Sequence, residues 1–507
     1  MTASDPVLVL GAGINGAAAA RELALNGCSV LVVDTADIAF GATAYSSRLI
    51  HGGLRYLEYG EFDLVRESLA ERTRLLRLAP RQVRPLRLFI PVKNRWGGLT
   101  SSAARFLGLP SGKPPREGRG LYLVEAGLWF YDHYARDRTL PARSVHRLDD
   151  PAAARLRPEA GRLLCAYSDA QATFPERLTV ELLLDAQAAA LKRGVDFQVR
   201  TYCQAALRDK TVELRTTTES EGGEGETIRP AAIVNATGAW VDQTLARLSV
   251  ASPRLMGGTK GSHFFTWHAG LAEALRGSGL YAEAPDGRPV FVLPLASGTL
   301  VGTTDIPFSG NPADAVASEA ELDYLLGVVN GLVRDVRLTR DDIGFHYCGV
   351  RPLPFVDART PAAITRRHAL AWNDASPIPL VSLVGGKLTT ARSLAEETAA
   401  AVLARIGRKV EADSRERPIP ARTLPGEGGA PLAVAARESI AKEWATRLED
   451  LVERRLMLLY DQQFSAADLR ILADELVAAK KLAPEQREAA IAAATARWQK
   501  HFGRTLR

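Results

Sequence analysis

Residues 6–34 read "PVLVLGAGINGAAAARELALNGCSVLVVD": an apolar run, a glycine-rich turn, a small-residue helix, a second apolar run and a terminal acid. A short apolar run bounded by turn residues fits a strand buried on both faces. In Gly11-x-Gly13-x-x-Gly16 each glycine has its own task. Gly11 makes the tight turn, Gly13 lets the backbone approach a pyrophosphate, and Gly16 lets helix and strand pack closely. The pyrophosphate would meet N–H groups at the helix N-terminus. Asp34 would accept hydrogen bonds from an adenosine ribose and disfavour a 2′-phosphate. This order predicts a dinucleotide-binding start, against the alternative of a glycine-rich packing turn. By itself it does not separate FAD from NAD.

With 507 residues, 46% of them hydrophobic, the chain can form two or three domains with sizeable cores. Its net charge of +6 suits an anionic small molecule, an anionic lipid surface or nucleic acid without choosing among them. Cys28, Cys165, Cys203 and Cys348 show neither CxxC spacing nor a cysteine–histidine cluster. Disulfide staples and a metal site are therefore not expected, and a reducing cytoplasmic setting is. The N-terminus lacks the pattern of a secretory signal, and no apolar stretch reaches the roughly 18 residues of a membrane span.

Strand signals occur at 29–34, 228–236, 290–295 and 300–304, and "TTTESEGGEGET" (216–227) reads as a surface hairpin loop. Phe62, Val65, Leu69 and Leu76 mark an amphipathic helix. "RERPIPARTLPGEGGAP" (415–431) is the best linker candidate. Beyond it Ile440, Trp444, Leu448, Val452, Leu456 and Leu459 recur at helical spacing, so a long helix is expected in a C-terminal cap.

Further short motifs follow: "FGATAYSSRLIHGGLRYLEYGEF" (40–62), "IVNATGAWVD" (233–242), "KGSH" (260–263), "VGTTD" (301–305), "GVRPL" (349–353), "AITR" (363–366) and "GGKLTTAR" (385–392). In this order they closely resemble the FAD-dependent glycerol-3-phosphate dehydrogenases, within the glycine/D-amino-acid-oxidase-like flavoproteins. The resemblance spans roughly residues 5–405 and continues more weakly through the tail, where "EWATRLEDLVERRLMLL" (443–459) looks like the family's cap helix in altered form. It implies an α/β fold: a Rossmann-like FAD domain interleaved with a mixed-sheet substrate domain, plus a helical C-terminal cap. The FAD-contacting segments would be about 5–60, 160–240 and 345–405, the substrate segments about 61–159 and 241–344, the linker 406–431 and the cap 432–507.

The resemblance also implies oxidation of sn-glycerol 3-phosphate to dihydroxyacetone phosphate, with electrons passing from FAD to a membrane quinone. Besides Gly11, Gly13, Gly16 and Asp34, it assigns Asn15, Ser46, Ser47, His51, Gly52, Gly238, Gly385, Gly386, Leu388 and Thr389 to the cofactor. Glycines there admit backbone N–H groups close to the flavin, and a helix beginning near Leu388 adds its positive end. Lys387 would point into the substrate pocket, its bland alternative being a solvated lysine. Arg55, Tyr56, Thr304 and Arg366 are the substrate-binding candidates, since a phosphate dianion favours several donors including arginine. His263, Arg351 and Lys387 are the catalytic candidates: His263 as proton acceptor, Arg351 as an electrostatic clamp on the developing alkoxide. Asp305 reads either as a turn cap or as an arginine's partner.

Residues 86–119 mix Arg87, Lys93, Arg95, Arg105, Lys113, Arg116 and Arg119 with Trp96, Leu99, Phe106, Leu107 and Leu109. That pattern suits peripheral contact with an anionic membrane surface, or else a solvated loop with core anchors. Attachment to the inner face of the cell membrane and homodimerisation are implications of the resemblance. Nucleic acid is not an expected partner. An oxygen-using glycerol-3-phosphate oxidase, an amino-acid oxidase and a noncatalytic FAD-binding protein stay open as alternatives.

Overall fold

The protein is described here by a computed structural model covering residues 5–94, 120–135, 137, 139–217, 225–284, 286–356, 367–421 and 429–506. Its frame is a six-stranded sheet ordered Ala369–Asn373, Leu380–Val384, Ala232–Asn235, Val7–Leu10, Val30–Val33, Phe197–Arg200. Neighbours run parallel except at the antiparallel Ala369–Asn373 edge. Val7–Leu10 and Val30–Val33 are buried at every position, as covering both faces of a parallel sheet requires. The alanine-rich helix Ile14–Leu25 packs between the helices Pro175–Arg193 and Ala391–Arg405, and its small side chains permit that close approach.

A second, ten-stranded sheet runs Ile306–Pro307, Thr259–Thr266, Gly298–Gly302, Pro289–Leu295, Gly279–Glu283, Val83–Val92, Leu163–Ala172, Leu49–Ile50. Phe345–Arg351 also pairs with Thr259–Thr266, and Ser144–Arg147 with Leu163–Ala172. Three of these strands, Leu49–Ile50, Leu163–Ala172 and Phe345–Arg351, lie in segments expected on the nucleotide side. An apolar run reports that a strand is buried, not which sheet receives it. The expected strand at 228–236 divides into Glu226–Ile228 and Ala232–Asn235 around Pro230, which has no N–H for a ladder. Glu226–Ile228 pairs with Thr211–Thr216 as a hairpin whose loop, 218–224, lies outside the described residues.

The C-terminal part contains the helices Leu432–Lys442, Ala466–Ala478 and Arg487–Phe502. The continuous helix expected from Ile440 to Leu459 is not formed. The first helix stops at Lys442, Trp444 is left-handed (φ 57°), and the chain resumes in a π-helical turn, Asp450–Arg455, then a short 3-10 turn, Leu458–Tyr460. The π-helical turn carries buried charge within the apolar pattern. Arg455 donates from both terminal nitrogens to the two oxygens of Asp37 (2.9 and 2.8 Å), and Arg454 Nε reaches the same carboxylate at 2.5 Å. Two successive residues of a regular helix point about 100° apart, which disfavours a shared partner; a wider turn relieves this. Residues of this C-terminal part and of the ten-stranded sheet share one hydrophobic core, joining Trp498, Leu451 and Leu472 to Leu88, Tyr167 and Phe345.

The described part of the expected linker is fastened down. Arg417 makes a two-pronged contact with Asp185 (2.7 Å each), Asn26 binds the backbone of Glu411 and Ala412, and Ile419 is buried. Residues 422–428 lie outside the described residues.

Asp37 and its arginines predict a large asymmetry. Asp37→Asn leaves two buried guanidiniums short of countercharge and should lower unfolding stability by about 3–5 kcal/mol. Asp149→Asn, at an ion pair open to water, should leave the urea midpoint unchanged.

Candidate active site

Leu10, Val33, Asn235 and Val384 end adjacent strands, and the loops that follow them line one cleft of about 540 Å³. Ligands of open parallel sheets bind at these carboxyl ends. Gly11 turns with φ 101°, and a Cβ there would stand 2.6 Å from the carbonyl oxygen of Ala236. A Cβ on Gly16 would stand 1.9 Å from Gly11 O, so helix and turn meet only if position 16 is glycine. Asp34 braces this cradle: its oxygens accept from Ala12 N (2.7 Å) and Ala36 N (2.9 Å), and each keeps a lone pair for a further donor. Burial pushes its carboxyl up to about 6 against the pull of those bonds. Gly238 (φ 60°) lines the same cleft from the third strand end.

The fourth strand end carries Gly385 (φ 79°), Gly386 (φ 90°) and Lys387. A Cβ on Gly386 would lie 2.6 Å from Asn15 Nδ2, and Asn15 donates to Gly385 O at 3.5 Å. The following helix begins at Ala391, three residues later than expected, with Leu388 and Thr389 lining the cleft in the approach. Thr389 Oγ1 accepts from His51 N at 3.1 Å, so two segments 338 residues apart are sewn together beside the cleft. Burial, aided by the charge of Lys387, holds the His51 imidazole down to about 3, hence neutral. Lys387 Nζ lies 4.0 Å from the centre of the Tyr56 ring, a cation–π contact at the cleft wall.

The opposite wall comes from the ten-stranded sheet. His263 sits on the strand Thr259–Thr266 between Gly302 and Tyr347 on its two neighbours. Tyr347 stacks on the imidazole (centroids 5.0 Å, interplanar 29°), and a Cβ on Gly302 would strike His263 Cδ2 at 2.0 Å. His263 Nε2 is 2.8 Å from Ser47 Oγ. Burial first, then the charges of Arg351 and Arg48, hold its pKa well below the usual 6.5. Arg351 crosses Gly261, where a Cβ would lie 2.2 Å from Nη2. Its Nη1 donates to Asp305 (3.1 Å) and Nη2 to Thr303 Oγ1 (2.8 Å) and Thr304 O (2.9 Å), so Asp305 is the arginine's partner.

Two expectations are corrected. Thr304 does not present its hydroxyl to the cleft: Oγ1 donates to buried Glu321 at 2.7 Å and accepts from Ser262 N, leaving its carbonyl to hold Arg351. Gly52 turns its N–H to Tyr131 Oη (2.7 Å), which is bonded to Asp169, and so faces the interior. Ser46 and Ser47 line the cleft as placed. Arg366 and the side chain of Arg55 lie outside the described residues. Sequence reading missed Tyr347, Gly261 and Gly302, whose roles depend on strand register, and Arg48, which pairs with Glu176 128 residues away. Of these, the two glycines sit inside the quoted motifs "KGSH" and "VGTTD".

The glycine cradle, the buried acid at the second strand end and a second wall bearing an imidazole and a guanidinium fit a dinucleotide-dependent oxidoreductase. The profile of the DAO family, described as FAD dependent oxidoreductase, matches residues 6–401. This chain belongs to that family, and its cofactor is FAD. It is 36% identical over 492 residues to a glycerol-3-phosphate dehydrogenase of Synechocystis sp., covering 90% of this chain and 79% of that one. It is 34% identical to the aerobic glycerol-3-phosphate dehydrogenase of Escherichia coli (77% and 72%) and to the D-erythritol 1-phosphate dehydrogenase of Brucella abortus (77% and 72%). The fold is that of the Bacillus halodurans glycerol-3-phosphate dehydrogenase solved with FAD: TM-score 0.70, 19% identity, 98% and 95% coverage.

The two glycine classes give separable outcomes. Gly16→Ala should yield protein that loses its visible flavin absorbance on purification. Gly261→Ala should keep the flavin but displace Arg351, lowering kcat for the reducing substrate about tenfold or more.

Proposed function

We propose that this enzyme oxidises sn-glycerol 3-phosphate to dihydroxyacetone phosphate and passes the electrons to a membrane quinone. One observation carries the reading: His263 and Arg351 on one wall face the same cleft as Lys387 and Tyr56 on the other, beside the FAD cradle. An acceptor for a hydroxyl proton and a positive field thus meet where a small anionic alcohol would lie. The three relatives named above, all polyol phosphate dehydrogenases, support phosphate rather than a carboxylate as the anion.

Bound FAD supplies the acceptor for the C2 hydride. His263, neutral in its buried setting, takes the C2 hydroxyl proton by way of Ser47: the serine hydroxyl receives the substrate's proton as it passes its own to Nε2. Arg351 has both terminal nitrogens tied to its own wall, so it contributes a fixed positive field toward developing alkoxide charge. An anionic substrate offsets the Arg351 charge that depresses the imidazole, making His263 a better base once the pocket is filled. Gly385, Gly386 and Lys387 line the cleft, the glycines on the side assigned to FAD and the lysine assigned to the phosphate; Arg55 and Arg366 share that assignment on the family resemblance alone.

For the electron acceptor, no described helix is long and apolar enough to cross a membrane. Support for peripheral contact comes from Tyr122, Trp129 and Phe130, all exposed on the helix Leu121–Ala135 next to the basic stretch. Of that stretch, residues 95–119 lie outside the described residues.

Under anaerobic conditions glycerol 3-phosphate should bleach the flavin, with D-erythritol 1-phosphate and glycine as competitors. Absent bleaching of intact holoenzyme rejects the activity, and preferential bleaching by a competitor reassigns the substrate. Electrostatics adds a second expectation. A depressed pKa keeps His263 neutral as pH falls past 6.5 and charges it only further into acid. Imidazole NMR of the substrate-free holoenzyme should show that midpoint below 6.5, rising when a phosphate dianion fills the pocket; a midpoint at or above 6.5 in the free enzyme contradicts the assignment.

A further inference from the structure

Behind His263 lies a chain of contacts that ends in the C-terminal part of the protein. Arg48 is almost fully buried, and its guanidinium grips both oxygens of Glu176 (2.9 and 2.6 Å), the carbonyls of Thr173 (3.1 Å) and Ala44 (3.2 Å), and Tyr460 Oη (2.6 Å). Its backbone is left-handed (φ 61°), a conformation arginine rarely adopts, so these anchors hold the turn that Ser46, Ser47 and Arg48 share. That turn puts Ser47 Oγ 2.8 Å from His263 Nε2. Tyr347 pins it from the other side, donating to Ser46 O at 2.9 Å while stacking on the imidazole.

Tyr460 is itself well placed to convey position. Trp267 Nε1 and Ser297 Oγ both donate to its carbonyl at 3.3 Å. Its ring meets Phe265 and Phe345 edge-on at 5.2 and 5.0 Å, and Phe265 lies two residues from His263 on one strand. The hydroxyl on Arg48 and the ring on Phe265 therefore approach His263 by two routes, one through the serine turn and one through the strand.

We propose that Tyr460 is a positioning residue for His263: through Arg48 it holds Ser47 against Nε2, so the proton acceptor is oriented only when the C-terminal part is docked. The inference rests on His263 being the acceptor. A bond to a charged donor fixes direction strongly, and a small misplacement of an acceptor costs rate out of proportion to the energy lost.

Tyr460→Phe deletes the hydroxyl and keeps the ring. The variant should retain FAD and its KM for glycerol 3-phosphate while kcat for anaerobic flavin reduction falls about tenfold. Ser47→Ala, assayed on its flavin-loaded fraction, should lower kcat at least as far, and the double variant should be no slower than the slower single. In a His263→Asn background Tyr460→Phe should change nothing. Should Tyr460→Phe not accumulate as holoenzyme, Arg48→Lys, which keeps the charge without the fork, serves in its place with the same expected split. Full kcat in Tyr460→Phe alongside an impaired His263→Asn, or losses that multiply in that background, overturns the inference alone. Full kcat in His263→Asn overturns the acceptor assignment and this inference with it.

Discussion

Buried charges can exist only where their partners are, and in this protein they fasten the walls of the cleft. Arg48 with Glu176 holds the serine turn. Arg72 with Asp169, through Tyr131, holds the turn at Gly52. Asp37 with Arg454 and Arg455 joins the loop after Asp34 to the C-terminal part. Separating any of these leaves an ion in a poorly solvating interior, at a cost of several kcal/mol. An arrangement that satisfies all three at once leaves the cleft little freedom, and catalytic geometry follows from charge neutralisation away from the chemistry.

The two walls of the cleft use different materials. The nucleotide side is mostly backbone: glycine turns at the ends of parallel strands, where a Cβ on Gly11, Gly16 or Gly386 would collide with neighbouring protein atoms. The other wall is mostly side chain, with His263 and Arg351 on strands that cross the middle of an antiparallel pairing. There too glycine matters, for another reason. Gly261 and Gly302 have no special turn to make; they clear a path for a guanidinium and an imidazole lying flat across neighbouring strands.

Where reading the chain and the fold disagree, the disagreement has one physical source. A residue's neighbours along the sequence do not reveal which neighbours in space claim its polar atoms. Thr304 sits in a motif that looks like a contact and gives its hydroxyl to Glu321. Gly52 looks like a cofactor glycine and donates inward to Tyr131. The periodic segment from Ile440 to Leu459 looks like one helix, yet it breaks after Lys442, and its Arg454 and Arg455 both reach Asp37, over 400 residues earlier.

The sequence by itself determined the dinucleotide fold, because Gly11, Gly13, Gly16 and Asp34 act over one local strand–turn–helix–strand unit whose geometry is set by adjacent residues. It also named the chemical types gathered at the cleft, since "KGSH", "GVRPL" and "GGKLTTAR" carry an imidazole, a guanidinium and a lysine beside glycines. Only the tertiary structure decided which strands share a sheet, which hydroxyls remain for a ligand, and how the C-terminal part reaches His263. Those outcomes depend on pairings hundreds of residues apart, fixed by burial and charge neutralisation in the folded chain rather than by local pattern.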